Sequence, residues 1–130
     1  MADVQDCTLI VITGPTGSGK SALAIKIAQE LGCDIISADS RQIYRHIPIG
    51  TAAPTPEQLA AVKHYFVGSL ELEDYYSAAK FEEDVLELLP RLWSSNKYAV
   101  MCGGSMMYVD AVCYGIDERR SICFVCQRRY

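Results

Sequence analysis

A parallel β-sheet covered by helices on both faces is the fold class this sequence predicts, and three observations carry it. Short apolar runs rich in β-branched residues recur along the chain, as expected of strands buried on both faces. Between them lie segments with helical spacing, an alternation that calls for parallel strands joined by helical crossovers. A glycine-rich loop, Gly14-Pro15-Thr16-Gly17-Ser18-Gly19-Lys20-Ser21, stands between the first such run and the first helix. That is the order in which a phosphate-binding P-loop works, so the prediction sharpens to a P-loop NTPase-like sheet.

The first run, Thr8-Leu9-Ile10-Val11-Ile12-Thr13, reads as a strand ending at a glycine. A helix follows over 21–31, with Leu23, Ile27 and Leu31 on one face and Gly32 as its stop. Cys33 to Ala38 is a second strand, which places Asp39-Ser40-Arg41-Gln42 at its carboxyl end, the edge of an open α/β sheet where ligands bind. Pro48, Gly50, Pro54 and Pro56 mark an irregular connection before a short helix near 57–63, and 65–69 is expected to be a strand. Ser77 caps a helix whose apolar face is Phe81, Val85, Leu88, Leu89 and Leu92, with the acidic run Glu82, Glu83, Asp84 and Glu87 as its solvated side. Tyr98 to Cys102 is a further buried strand, broken by Gly103-Gly104, and 105–113 a helix. The segment 119–130 shows no period, cap or turn signal and is expected to be an irregular tail after a domain spanning 1–118.

One domain suits 130 residues, of which 50% are hydrophobic and 22% charged. No run is long enough for a membrane span, and the acidic start lacks a signal-peptide pattern, so a cytoplasmic protein without membrane contact is expected. The six cysteines are expected to be reduced thiols, with Cys7, Cys33, Cys102 and Cys113 in apolar stretches. Cys123 and Cys126 lack the second pair that a zinc site needs. Up to Glu118 there are 8 basic and 16 acidic residues, a net −8, and four arginines beyond that point bring the chain to −4.

The glycines of the loop let backbone N–H groups wrap phosphate oxygens at a helix amino end, Lys20 adds a fixed cation, and Ser21 is placed to ligate Mg²⁺. Asp39 could take a proton from a nucleophile, or serve as an N-cap or an outer magnesium group. Arg41 could steady charge on a leaving group or pair with an acidic neighbour. No acid follows the strand at Tyr98–Cys102, where a phosphoryl-transfer enzyme would carry its Walker B aspartate, although a small-molecule kinase using ATP stays open. His46 and His64 are isolated, and packing is the commoner fate of Tyr44, Tyr75, Tyr76 and Tyr108.

Five segments in order resemble one family: the loop 14–21; Asp39-Ser40-Arg41-Gln42-Ile43-Tyr44-Arg45; Ile49-Gly50-Thr51-Ala52; Tyr76-Ser77-Ala78; and Gly103-Gly104-Ser105-Met106-Met107-Tyr108. Together they look like the tRNA dimethylallyltransferases, and the resemblance covers roughly residues 8 to 117. It implies that the loop holds the diphosphate of dimethylallyl diphosphate and that the exocyclic amine of an adenosine beside the tRNA anticodon attacks the prenyl carbon. Asp39 would then orient or deprotonate the amine, while Thr16, Lys20 and Ser21 with Mg²⁺ stabilise the leaving diphosphate. Asp39, Ser40, Arg41 and Gln42 would touch the target nucleotide, and Ser105, standing where the family usually has threonine, would contact tRNA. A monomer is expected.

Such proteins run to about twice this length or more, which by size allows further domains. The family pattern ends near Gly115-Ile116-Asp117, and a frameshifted or truncated reading would account for both the length and the different tail. An acidic matched region is also unlike a tRNA-binding surface, which should be basic. A P-loop module that binds ligand without turnover is therefore the remaining alternative.

Overall fold

The computed structural model describes residues 7–14, 19–40, 43–44, 56–68, 70–71 and 75–115, with the strand at 121–126, of whose side chains only that of Ile122 is described. Strand β1 (Thr8–Thr13) leads to helix α1 (Lys20–Leu31), β2 (Ile35–Ser37), α2 (Pro56–Ala61), β3 (His64–Tyr65), α3 (Ala78–Trp93), β4 (Tyr98–Cys102), α4 (Met106–Gly115) and β5 (Ser121–Cys126). All five strands are parallel, in the order β3-β2-β4-β1-β5.

Alternation inside an unbroken apolar run explains how β1 serves two layers. Successive side chains of a strand point to opposite faces. Leu9 and Val11 join Phe81, Val85, Leu88, Leu89 and Trp93 of α3 and Tyr108, Val109 and Val112 of α4. Ile10 and Ile12 pack instead with Ala24, Ile25 and Ala28 of α1. Helices therefore cover both faces, as the sequence predicted. At the centre of the larger layer, the fully buried Phe81 ring stacks on Tyr108 at 4.6 Å and meets Phe66 edge-on at 5.3 Å.

Local signals set the helix bounds. Gly32 ends α1 with φ +69°, a left-handed conformation that costs glycine nothing, and its N–H reaches back to the carbonyls of Ala28 and Gln29. Asn96 then ties this helix end to β4, donating from Nδ2 to Leu31 O at 2.8 Å and accepting from Tyr98 N–H at 2.9 Å. Ser77 caps α3 by accepting from Lys80 N–H at 3.2 Å. The acidic side of α3 is only partly solvated: Glu83 and Glu87 are exposed, but Asp84 is half-buried and accepts from the Tyr76 hydroxyl at 2.5 Å. Cys7, Cys33 and Cys102 are buried thiols outside any disulfide, and Cys113 is a half-buried one.

Two expectations about elements are corrected. The strand expected at 65–69 is confined to His64–Tyr65, paired with β2 at Ile35 and Ile36. The segment expected to be irregular contains β5, which pairs in register with β1 from Thr8 opposite Ser121 to Thr13 opposite Cys126. Of its residues, Ile122-Cys123-Phe124-Val125-Cys126 are a continuous apolar run, and a strand of that kind carries neither period nor cap. Pairing also satisfies the edge of β1, which would otherwise present a row of unmatched backbone groups. The rest of the tail, and the connection holding His46, Pro48, Gly50 and Pro54, lie outside the described residues.

Candidate diphosphate site

The carboxyl ends of β1, β2 and β4 lie side by side in the sheet, so the segments that follow them converge on one edge. Gly14 follows β1 and is half-buried. Pro15, Thr16, Gly17 and Ser18 lie outside the described residues. Gly19 stands at the N-cap of α1 with φ +85°, a conformation that a β-carbon would strain, and Leu23 N–H donates the first helical bond to its carbonyl at 3.1 Å. Among the described residues no side chain caps this end, and no acid stands in the first turn, so no carboxylate of its own turn offsets the positive end of the α1 dipole.

Lys20 is the first residue of α1 and is only 7% exposed; it and Ser37 are the only buried polar residues among those described. A buried ammonium is costly away from anionic or hydrogen-bonding partners, which marks the position as one built around charge. Its Nζ lies over Gly104, where a β-carbon would sit 3.9 Å from it. Ser21 follows in the same turn and is half-buried.

Asp39 is half-buried one residue beyond Ala38, whose N–H donates to Cys102 O at 2.9 Å and so extends the β2–β4 ladder past Ser37. Ser40 is exposed, and its N–H donates to Ser105 Oγ at 2.9 Å. Ser105 precedes α4 and also donates from its hydroxyl to Ser40 Oγ at 3.2 Å. Arg41 and Gln42 lie outside the described residues. The structure therefore brings Gly14, Gly19, Lys20, Ser21, Asp39, Ser40 and Ser105 to a single edge.

Two neighbours of Asp39 were not singled out for the site by the sequence. Burial pushes the Cys102 thiol up to about 11, with Lys20 drawing it down and Asp39 raising it, so this sulfur feels both the ammonium and the carboxylate. The thiol also donates to Lys20 O at 3.7 Å. Burial likewise raises the Tyr108 hydroxyl, and Tyr44 and Asp39 raise it further. A strand-end cysteine and a core tyrosine look like packing residues in sequence, and only the sheet order puts them beside Asp39. His64 is engaged elsewhere, with Nδ1 2.8 Å from Val62 O.

Among the described residues no three His, Cys, Asp or Glu side chains cluster to hold a metal on their own. Mg²⁺ fits the edge in another way, since it usually takes one or two protein oxygens together with phosphate oxygens and water, and Ser21 and Asp39 offer oxygens of that kind. No helix among the described residues is long and apolar enough to cross a membrane.

A parallel α/β domain with a lysine buried at a helix amino end and a carboxylate at the next strand end belongs to the class of phosphate-binding sheet proteins. The comparison with known families is narrower: the IPP transferase family model matches residues 42–124, and the chain belongs to that family. It is 60% identical over 111 residues to tRNA dimethylallyltransferase 2 of Parabacteroides distasonis, covering 85% of this chain and 37% of that protein. It is 58% identical over 116 residues to tRNA dimethylallyltransferase 2 of Porphyromonas gingivalis, covering 89% and 39%. The full-length tRNA isopentenylpyrophosphate transferase of Bacillus halodurans superposes with a TM-score of 0.78 at 31% identity, over 85% of this chain and 37% of that one. The chain thus spans somewhat over a third of the length of these relatives. None of these is named as a kinase, so the phosphoryl-transfer alternative is not favoured.

Proposed function

We propose that this chain forms the diphosphate-binding part of an enzyme that transfers a dimethylallyl group from dimethylallyl diphosphate to the exocyclic amine of an adenosine beside the tRNA anticodon. The observation that carries the reading is that Lys20, which follows β1, and Asp39, which follows β2, both act on the Cys102 thiol at the end of β4, the strand between those two. Prenyl transfer asks for that pair, a cation where negative charge develops and a base where a proton leaves.

In the proposed reaction the amine nitrogen attacks the first carbon of the prenyl chain, the carbon–oxygen bond breaks, and its electron pair leaves with the diphosphate. Asp39 accepts the proton released by the amine. Lys20, the α1 amide groups and Thr16 stabilise the departing oxygens, within a cradle formed by Gly14, Pro15, Gly17, Ser18 and Gly19. Ser21 would hold Mg²⁺, which supplies additional positive charge to the diphosphate when bound. Ser40, Arg41 and Gln42 would border the target nucleotide, with Ser105 behind Ser40. The absence of an acid after β4 suits this chemistry, because no phosphoryl group moves. Residues up to Glu118 carry −8, so the basic surface for tRNA would belong to the part of the relatives that this chain does not match. A cytoplasmic monomer completes the proposal.

The test is transfer of labelled dimethylallyl groups to tRNA, with ATP as competitor. The expected result is label on adenosine, undiminished by equimolar ATP, and a loss of about a hundredfold or more in Asp39→Asn. Equal labelling by Asp39→Asn, or phosphate transfer from ATP to a small acceptor, would contradict the reading.

A further inference from the structure

The turn Gly103-Gly104-Ser105, which joins β4 to α4, reaches both halves of the site. Toward β2, Ser105 N–H donates to Ala38 O at 3.2 Å, while Ala38 N–H donates to Cys102 O. Both backbone polar groups of Ala38 are therefore fastened to β4 and its turn. A β-carbon at Gly103 would lie 2.1 Å from Ala38 O, so glycine is what lets the two backbones come this close. On the other side of Asp39, Ser40 is fastened to the same turn by its N–H and its hydroxyl, both through Ser105 Oγ. Asp39 is thus flanked by two anchored residues. Toward α1, the same turn lays Gly104 against Lys20 Nζ and Gly14 O, at 3.9 and 3.6 Å from where a β-carbon would be.

We infer that Ser105 is a positioning residue whose hydroxyl clasps the Asp39–Ser40 backbone to the turn that also packs on Lys20, so that base and cation are held at a fixed separation. The clasp itself stands on hydrogen bonds; its effect on turnover rests on the prenyl-transfer reading. Ser40 is exposed, and its two bonds to Ser105 Oγ fasten the backbone directly after the carboxylate. One such bond, open to water, adds little to global stability but controls local opening. The role differs from a direct tRNA contact, because the Ser105 oxygen is already engaged within the protein.

Ser105→Ala and Ser105→Thr in the full chain separate these roles. In Ser105→Ala the Ser40 amide should exchange with solvent about tenfold faster. The thermal midpoint and the affinity for magnesium pyrophosphate should stay as in wild type. The kcat for prenyl transfer should fall about tenfold at unchanged KM for dimethylallyl diphosphate and for tRNA, and threonine, which keeps the hydroxyl, should restore both exchange and kcat. Unaltered Ser40 exchange in the alanine variant overturns the inference, as does a raised KM for tRNA at unchanged kcat, which would make Ser105 a substrate contact. If the wild-type chain shows no transfer, the functional reading fails for it, and Ser40 exchange with its rescue by threonine decides the clasp alone.

Discussion

Cys102 shows how the edge of the sheet treats charge. The thiol is 8% exposed, feels the charges of both Lys20 and Asp39, and keeps its proton to about pH 11 because burial disfavours the thiolate more than Lys20 favours it. An unfolded thiol releases that proton near the ordinary value of 9.0. Between these values the unfolded chain binds fewer protons than the folded one, so stability falls with rising pH. The contribution is complete below about pH 9 and is lost as pH rises through about 11. Urea unfolding between these limits should show a slope that includes on the order of 1 kcal/mol per pH unit from this thiol. Cys102→Ala should flatten the slope even though its midpoint is lower, and an identical slope in both proteins would remove Cys102 from the account.

At the scale of elements, what was legible follows from how each element announces itself. β1, β4 and the face of α3 were readable because unbroken apolar runs and 3.6-residue spacing depend on local sequence alone. The caps at Gly32 and Ser77 were readable for the same reason. β3 was misplaced because two residues carry no pattern; its pairing comes from neighbouring β2. β5 was missed because period and cap were sought in a segment that needed neither. That correction reverses an expectation about the tail. Deleting residues 119–130 removes β5 and the half-buried Ile122, and reopens an edge of β1 over six residue pairs. The thermal midpoint should drop by several degrees, on the order of 4 °C per kcal/mol for a domain of this size. An unchanged midpoint in a melting scan would show that β5 adds nothing to the fold.

Across the whole molecule, the site is a product of strand order. The loop at 14–21 and Asp39 could each be picked out from sequence because each follows a strand, and parallel strands deliver their carboxyl ends to one edge. The approach of Gly103 to Ala38, and the bonds between Ser40 and Ser105 across 65 positions of chain, depend on β4 inserting between β1 and β2, which no local pattern reveals. The resulting edge combines a buried lysine, a helix amino end and a carboxylate, and the central claim is that it receives the diphosphate of a prenyl donor. Calorimetric titration of the full chain and of Lys20→Ala with dimethylallyl diphosphate and Mg²⁺ tests this most directly. The account predicts one saturable site in the wild-type chain, weakened about ten- to hundredfold by loss of the ammonium. Equal affinity in the two proteins would contradict it.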